Sequence, residues 1–137
     1  MNTQTADVSG GTGLKGRRVL VAEDEGIIAM DLEMTLRDHG FDVVGTAATT
    51  AQSVEIARLH EPDLALMDLR LARGDCGIDA AAQLLTLGVP SLFVSGNLDD
   101  ATVAKLAPLR PVGCLGKPVS TPRLVALLEG YEARLRG

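Results

Sequence analysis

Glu23 and Asp24, then Asp68, Ser95 and Lys117, are the side chains whose types and spacing could do chemistry together. Each follows a short apolar run: Val19-Leu20-Val21-Ala22 before the acidic pair, Leu64-Ala65-Leu66-Met67 before Asp68, Leu92-Phe93-Val94 before Ser95, and the run from Val112 to Leu115 shortly before Lys117-Pro118. Three carboxylates, a hydroxyl and an amine suit phosphoryl transfer onto a carboxylate. Clustered carboxylates without a dedicated cage suit Mg2+, which keeps waters and leaves room for phosphate oxygens. A carboxylate can act as nucleophile and form an acyl phosphate. The metal and an ammonium would offset charge on the equatorial oxygens while a hydroxyl donates a hydrogen bond. Singly, each residue has a plainer use, because Asp and Ser cap helices and Lys is mostly a solvated charge. Four run ends matched in order make coincidence a poor account.

Such residues need elements that carry them to one rim. The runs at 19–22, 43–47, 64–67, 91–95 and 112–115 predict five strands. Between the first two lies IIAMDLEMTLRDHG, where Ile28, Leu32 and Leu36 share a helical face that Ile27, Met30 and Met34 are expected to widen, with Gly40 as the stop. SVEIARLHE predicts a second helix ended by Pro62, GIDAAAQLLTLG a third, Asp99 to Ala107 a short fourth closed by Pro108. The last opens at Ser120-Thr121-Pro122, with proline expected at the first helical position and Leu124, Leu128, Tyr131 and Leu135 on one face. Uniformly apolar strands alternating with helices imply a parallel sheet buried on both faces, a doubly wound α/β domain. In such sheets ligands bind beyond the carboxyl ends of the strands. The Gly/Ser/Thr-rich stretch at 1–16 is expected to be a flexible tail, and 17–137 the domain.

Composition narrows the function. The chain has 137 residues, 46% hydrophobic and 23% charged, which fits one globular domain and not a disordered chain. A net charge of −5 and 2% aromatic residues argue against nucleic acid, which calls for clustered Lys and Arg or stacking rings. No apolar run approaches membrane-spanning length, and the polar N-terminus has no hydrophobic signal region, so the expectation is no membrane partner and a cytoplasmic location. Two cysteines, Cys76 and Cys114, cannot build a disulfide framework. They read better as small buried hydrophobes than as sensors. His39 and His60 fall at helix ends, where a cation suits the dipole. The glycines at 10–16 precede the first strand and lack a GK[ST] motif, so they are not a phosphate-binding loop.

VLVAEDE, LALMDLRL, LFVSGN and GCLGKP, in this order, resemble the receiver domain of bacterial two-component response regulators, over nearly the whole chain from Arg18. The resemblance implies a flavodoxin-like sheet of order 2-1-3-4-5 flanked by five helices. It implies Asp68 as phosphoacceptor, Asp24 as a direct Mg2+ ligand, Glu23 as its acidic neighbour acting through water, and Arg70 as a ligand through its backbone carbonyl. Ser95 would bind the phosphoryl group and Lys117 would pair with it, its bond to Pro118 typically cis. The implied donor is a sensor histidine kinase or phosphotransfer protein, and the implied output a downstream protein target. The face of fourth helix, fifth strand and fifth helix is a candidate dimer surface.

The implied protein is a stand-alone response regulator, signalling by protein contact or acting as a phosphate sink, and not a turnover enzyme. It departs from the family at Cys114, three positions before the lysine, where most receivers carry an aromatic or histidine switch. Arg70 is either solvated or placed over the phosphoryl group. Two other readings stand beside the first. A pseudo-receiver would be an interaction module that is never phosphorylated. A haloacid-dehalogenase-like phosphatase also uses a strand-end Asp with Mg2+, but it needs a second Asp where Arg70 stands.

Overall fold

Leu64-Ala65-Leu66-Met67-Asp68 and Ser91-Leu92-Phe93-Val94-Ser95 are buried at every position, as strands covered on both faces must be. A computed structural model describes residues 17–136, so the tail expected at 1–16 lies outside the described residues. Strands and helices alternate: β1 (Arg18–Ala22), α1 (Gly26–Asp38), β2 (Asp42–Ala47), α2 (Thr50–His60), β3 (Leu64–Asp68), α3 (Gly77–Thr86), β4 (Ser91–Ser95), α4 (Asp100–Leu106), β5 (Gly113–Gly116) and α5 (Thr121–Arg136). The five strands are all parallel in the order β2-β1-β3-β4-β5, as the resemblance implies.

Successive strand residues point to opposite faces. Val19, Val21, Leu64, Leu66, Leu92, Val94 and Leu115 therefore pack with Leu32 and Leu36 of α1 and Leu124 and Leu128 of α5. Leu20, Ala22, Ala65, Met67 and Phe93 pack on the other side with α2, α3 and Leu106 of α4. Each fully buried leucine contributes roughly 1.5–3 kcal/mol.

The first helix corrects one expectation. Ala29, Leu32 and Leu36 are buried, whereas Ile27, Met30 and Met34 are exposed and do not widen the core stripe. At 3.6 residues per turn those three lie on the side opposite Leu32. Other boundaries also shift: β5 runs Gly113–Gly116 where 112–115 was expected, and α3 ends at Thr86, short of Gly88. α2 begins at Thr50, with Thr49 accepting the Gln52 N–H through its side chain. α4 ends at Leu106, and Pro108 lies inside a short 3-10 turn, Ala107–Leu109. In α5 Ser120 Oγ accepts the Arg123 N–H at 3.4 Å, which puts Pro122 at the second helical position.

At the base of the sheet, Arg17 forks onto Glu132 of α5 through Nε and NH2 at 3.0 and 3.1 Å. That clamp joins the entry to β1 with the late turns of α5, where Tyr131 packs on the core.

Candidate functional site

Parallel registry brings the predicted side chains to one level. Ala22 pairs with Met67, Asp68 with Val94 and Ser95 with Gly116, so Glu23, Asp68, Ser95 and Lys117 emerge within about a residue of one another. Asp24, Glu25, Asp68, Arg70, Ser95 and Lys117 line one cleft of about 520 Å3 together with Gly96 and Asn97. The convergence expected from the strand ends is therefore present, with Glu23 buried beneath it.

Lys117 ties the floor together. Its ammonium is 2.6 Å from Asp68 Oδ2 and 2.8 Å from Glu23 Oε1. Only the bond to Asp68 is in line for a hydrogen bond, so Glu23 Oε1 meets the ammonium as an ion pair alone. Glu23 Oε2 accepts the Glu25 N–H at 3.1 Å, which folds the turn after β1 back over the strand end. Burial pushes the Glu23 carboxyl above the usual carboxylate range, and neighbouring Asp68 pushes the same way, against the pull of Lys117. Burial alone would lower the lysine, but the hydrogen bond it donates to Asp68 and its attraction to the Asp68 and Glu23 carboxylates outweigh it and hold Lys117 above its ordinary value. The Lys117–Pro118 bond is cis.

Asp68 Oδ1 accepts the Arg70 N–H at 3.0 Å, so both oxygens of the acceptor candidate are engaged. The Arg70 side chain is exposed at the cleft mouth. Ser95 Oγ accepts the Asn97 N–H at 3.0 Å and lies 3.2 Å from Asn97 O, bonded within its own loop.

Two residues escaped the sequence reading. Glu25 joins Glu23 and Asp24 in a trio whose carboxylate oxygens lie within 4.8 Å of one another. It was visible as the third acid of the EDE turn, but as an exposed turn residue past the strand end it had no periodicity to place it with the other two. Asn97, which holds Ser95, had no signal beyond its place in the SGN loop. Cys114 is half-buried against the α2, α3 and α4 side of the core, and burial raises its thiol pKa. That suits a packing thiol better than a reactive one.

The doubly wound sheet with acids, hydroxyl and lysine on its carboxyl rim defines a receiver-type fold. A family model for the response regulator receiver domain matches residues 19–129, and the chain belongs to that family. It is 37% identical over 123 residues to the transcriptional regulatory protein PdtaR of Mycobacterium tuberculosis, covering 88% of this chain and 58% of that protein. It is 43% identical over 79 residues to the phyllosphere-induced regulator PhyR of Methylorubrum extorquens, covering 56% of this chain and 30% of the relative. The chain thus spans little more than half the length of the first relative, and less of the second.

Among solved structures, the receiver domain of a modulated diguanylate cyclase from Desulfovibrio desulfuricans superposes with a TM-score of 0.79 at 29% identity, covering 88% of this chain and 96% of that one. The PhyR receiver domain of Erythrobacter litoralis gives 0.73 at 31% identity, covering 85% and 90%. The chain is a regulator's receiver domain of two-component signalling. No helix among the described residues is long and apolar enough to cross a membrane.

Proposed function

We propose that this receiver takes a phosphoryl group from a phosphohistidine donor onto Asp68, with Mg2+ bound beside it. The observation that carries the reading is the Lys117 ammonium 2.6 Å from Asp68 Oδ2 and 2.8 Å from Glu23, on the rim of a cleft open to solvent. A cation there can follow the charge that develops when a carboxylate oxygen attacks phosphorus.

The donor set fits a hard dication. Carboxylate oxygens from Glu23, Asp24 and Glu25 stand within 4.8 Å of one another, with Asp68 joined to them through Lys117. Asp24, Asp68 and the Arg70 carbonyl would hold Mg2+, and Glu23 would act behind them. Bound there, the metal would neutralise phosphate oxygens during transfer. Asp68 supplies the nucleophilic oxygen, and a P–O bond forms there as the donor's P–N bond breaks. Lys117 stays with the new phosphoryl group, and Ser95 Oγ turns from Asn97 to donate to it.

Output through protein contact, with a kinase or phosphotransfer protein as donor, belongs to the same proposal, as do the cytoplasmic setting and the absence of turnover. Position 70 is an arginine, which disfavours the phosphatase reading. The test is mass spectrometry after incubation with acetyl phosphate and Mg2+. The protein should gain one phosphoryl group, and Asp68→Asn should gain none. Equal labelling of the variant would refute the acceptor assignment, and no labelling of either protein would favour the pseudo-receiver.

A further inference from the structure

The connection between β3 and α3 is a miniature hairpin. Arg70 and Cys76 face each other as an isolated antiparallel bridge. The bonds flanking that pair run from Leu71 N to Asp75 O at 3.1 Å and from Gly77 N to Leu69 O at 2.9 Å. Between them Arg73 and Gly74 have φ of 62° and 77°, consecutive left-handed residues of the kind primed hairpin turns use. Because the hydrogen bonds belong to the neighbours, Arg70 occupies a non-hydrogen-bonded site of the pair. The N–H and C=O of such a residue both point away from the partner strand. The N–H of Arg70 accordingly lands on Asp68 Oδ1, and its carbonyl faces the same side.

Two contacts outside the cleft fix this register. Asp75 Oδ2 accepts the N–H of Thr50 at 2.8 Å, filling a vacancy at the start of α2, where a carboxylate also suits the helix dipole. Ala72 N donates to Ala48 O at 2.8 Å just beside it. A one-residue slip would turn the Arg70 peptide away from the acids and bring its neighbour's groups round in its place.

We infer that Asp75, through Thr50, is a positioning residue for the Arg70 peptide, and so for cation binding beside Asp68. This inference rests on the proposed Mg2+ site. Asp75 touches neither the metal nor the phosphoryl group; it holds the hairpin in the register that aims the carbonyl. Partners that orient a ligand in this way commonly change metal affinity by 10–100-fold when removed.

The experiment is calorimetric titration of the whole chain with Mg2+. Asp75→Ala should weaken binding by about tenfold, while Asp75→Asn, which keeps an acceptor for Thr50, should stay within about threefold of the parent. Thr50→Pro removes the donor without breaking the helix, since proline is favoured at the first helical position and Thr49 is already extended (φ −133°, ψ 165°). It should weaken Mg2+ as Asp75→Ala does, and the double variant should be no weaker than either single one. Asp79→Ala removes an exposed acid from α3 and should change nothing. Should Asp75→Ala fail to fold, Thr50→Pro and Asp75→Asn still decide the matter. Parental affinity in Thr50→Pro overturns the inference, as does an equal loss in Asp75→Asn or Asp79→Ala. Absence of Mg2+ binding by the parent chain would instead overturn the functional reading beneath it.

Discussion

After β3 the chain bonds outward, with Ala72 donating to Ala48 and Asp75 accepting from Thr50, both at 2.8 Å. After β4 it bonds to itself, Ser95 to Asn97 at 3.0 Å and Asp99 to Thr102 at 2.8 Å at the head of a seven-residue α4. Both connections border Asp68, but only the first is tied to another element by these bonds. Moving it would take the acceptor from the Thr50 N–H at the start of α2 and shift the peptide that holds Asp68 Oδ1. Moving the second costs local hydrogen bonds, each roughly 1 kcal/mol net. The difference is one of anchorage: the loop after β3 is bonded to the start of α2, whereas these bonds of the loop after β4 stay within it and the head of α4. Regions that move in signalling are drawn from such loosely held segments.

Glycines break the comparison most sharply. A Cβ on Gly77, where the first connection enters α3, would sit 2.0 Å from Asp68 O and 2.8 Å from Leu69 Cα, both backbone atoms with little room to yield. On Gly96, in the second connection, it would meet nothing within 4 Å. Gly77→Ala should cost about 3 kcal/mol in urea denaturation, whereas Gly96→Ala should stay within about 0.5 kcal/mol.

The ammonium between the acids gives a middle-sized effect with a definite pH window. Lys117 is raised above 10.5 in the fold, so its stabilisation is complete below that value and is lost as pH rises through the folded value. Denaturation midpoints followed across that range should fall more in the parent than in Lys117→Met. Parallel curves would show that the lysine is not held by Asp68 and Glu23.

Arg73→Gly should be the smallest change. A left-handed arginine costs about 1 kcal/mol that glycine avoids, partly offset by the freedom glycine adds to the unfolded chain, so stability should rise by about 0.5 kcal/mol. A loss on thermal denaturation would mean that the arginine side chain anchors the hairpin.

The strands and the rim were legible in the sequence, because central parallel strands must be apolar at every position and their ends must then be polar. The order of Glu23, Asp68, Ser95 and Lys117 along the chain therefore carried the site. Ile27, Met30 and Met34 misled because hydrophobicity alone does not say which of two faces meets the sheet. The start of α2 was hidden in a stretch of small residues, and part of its capping comes from Asp75, 25 positions away. The hairpin after Asp68 was equally hidden, since its left-handed pair includes an arginine that no local rule places there. What the sequence concealed is who holds whom: the hairpin of the Arg70 peptide through Asp75 and Thr50 across the fold, and Ser95 through Asn97 within its own loop.

The most direct measurement is the amide NMR spectrum before and after addition of Mg2+ with beryllofluoride, a mimic of the phosphoryl group. The account predicts large shifts from Ser95 to Asp99 and at Glu23 to Glu25, with Thr50 and Ala72 to Asp75 nearly unmoved. Shifts at Thr50 and Ala72 to Asp75 as large as those after β4, or none around Asp68 at all, would contradict it.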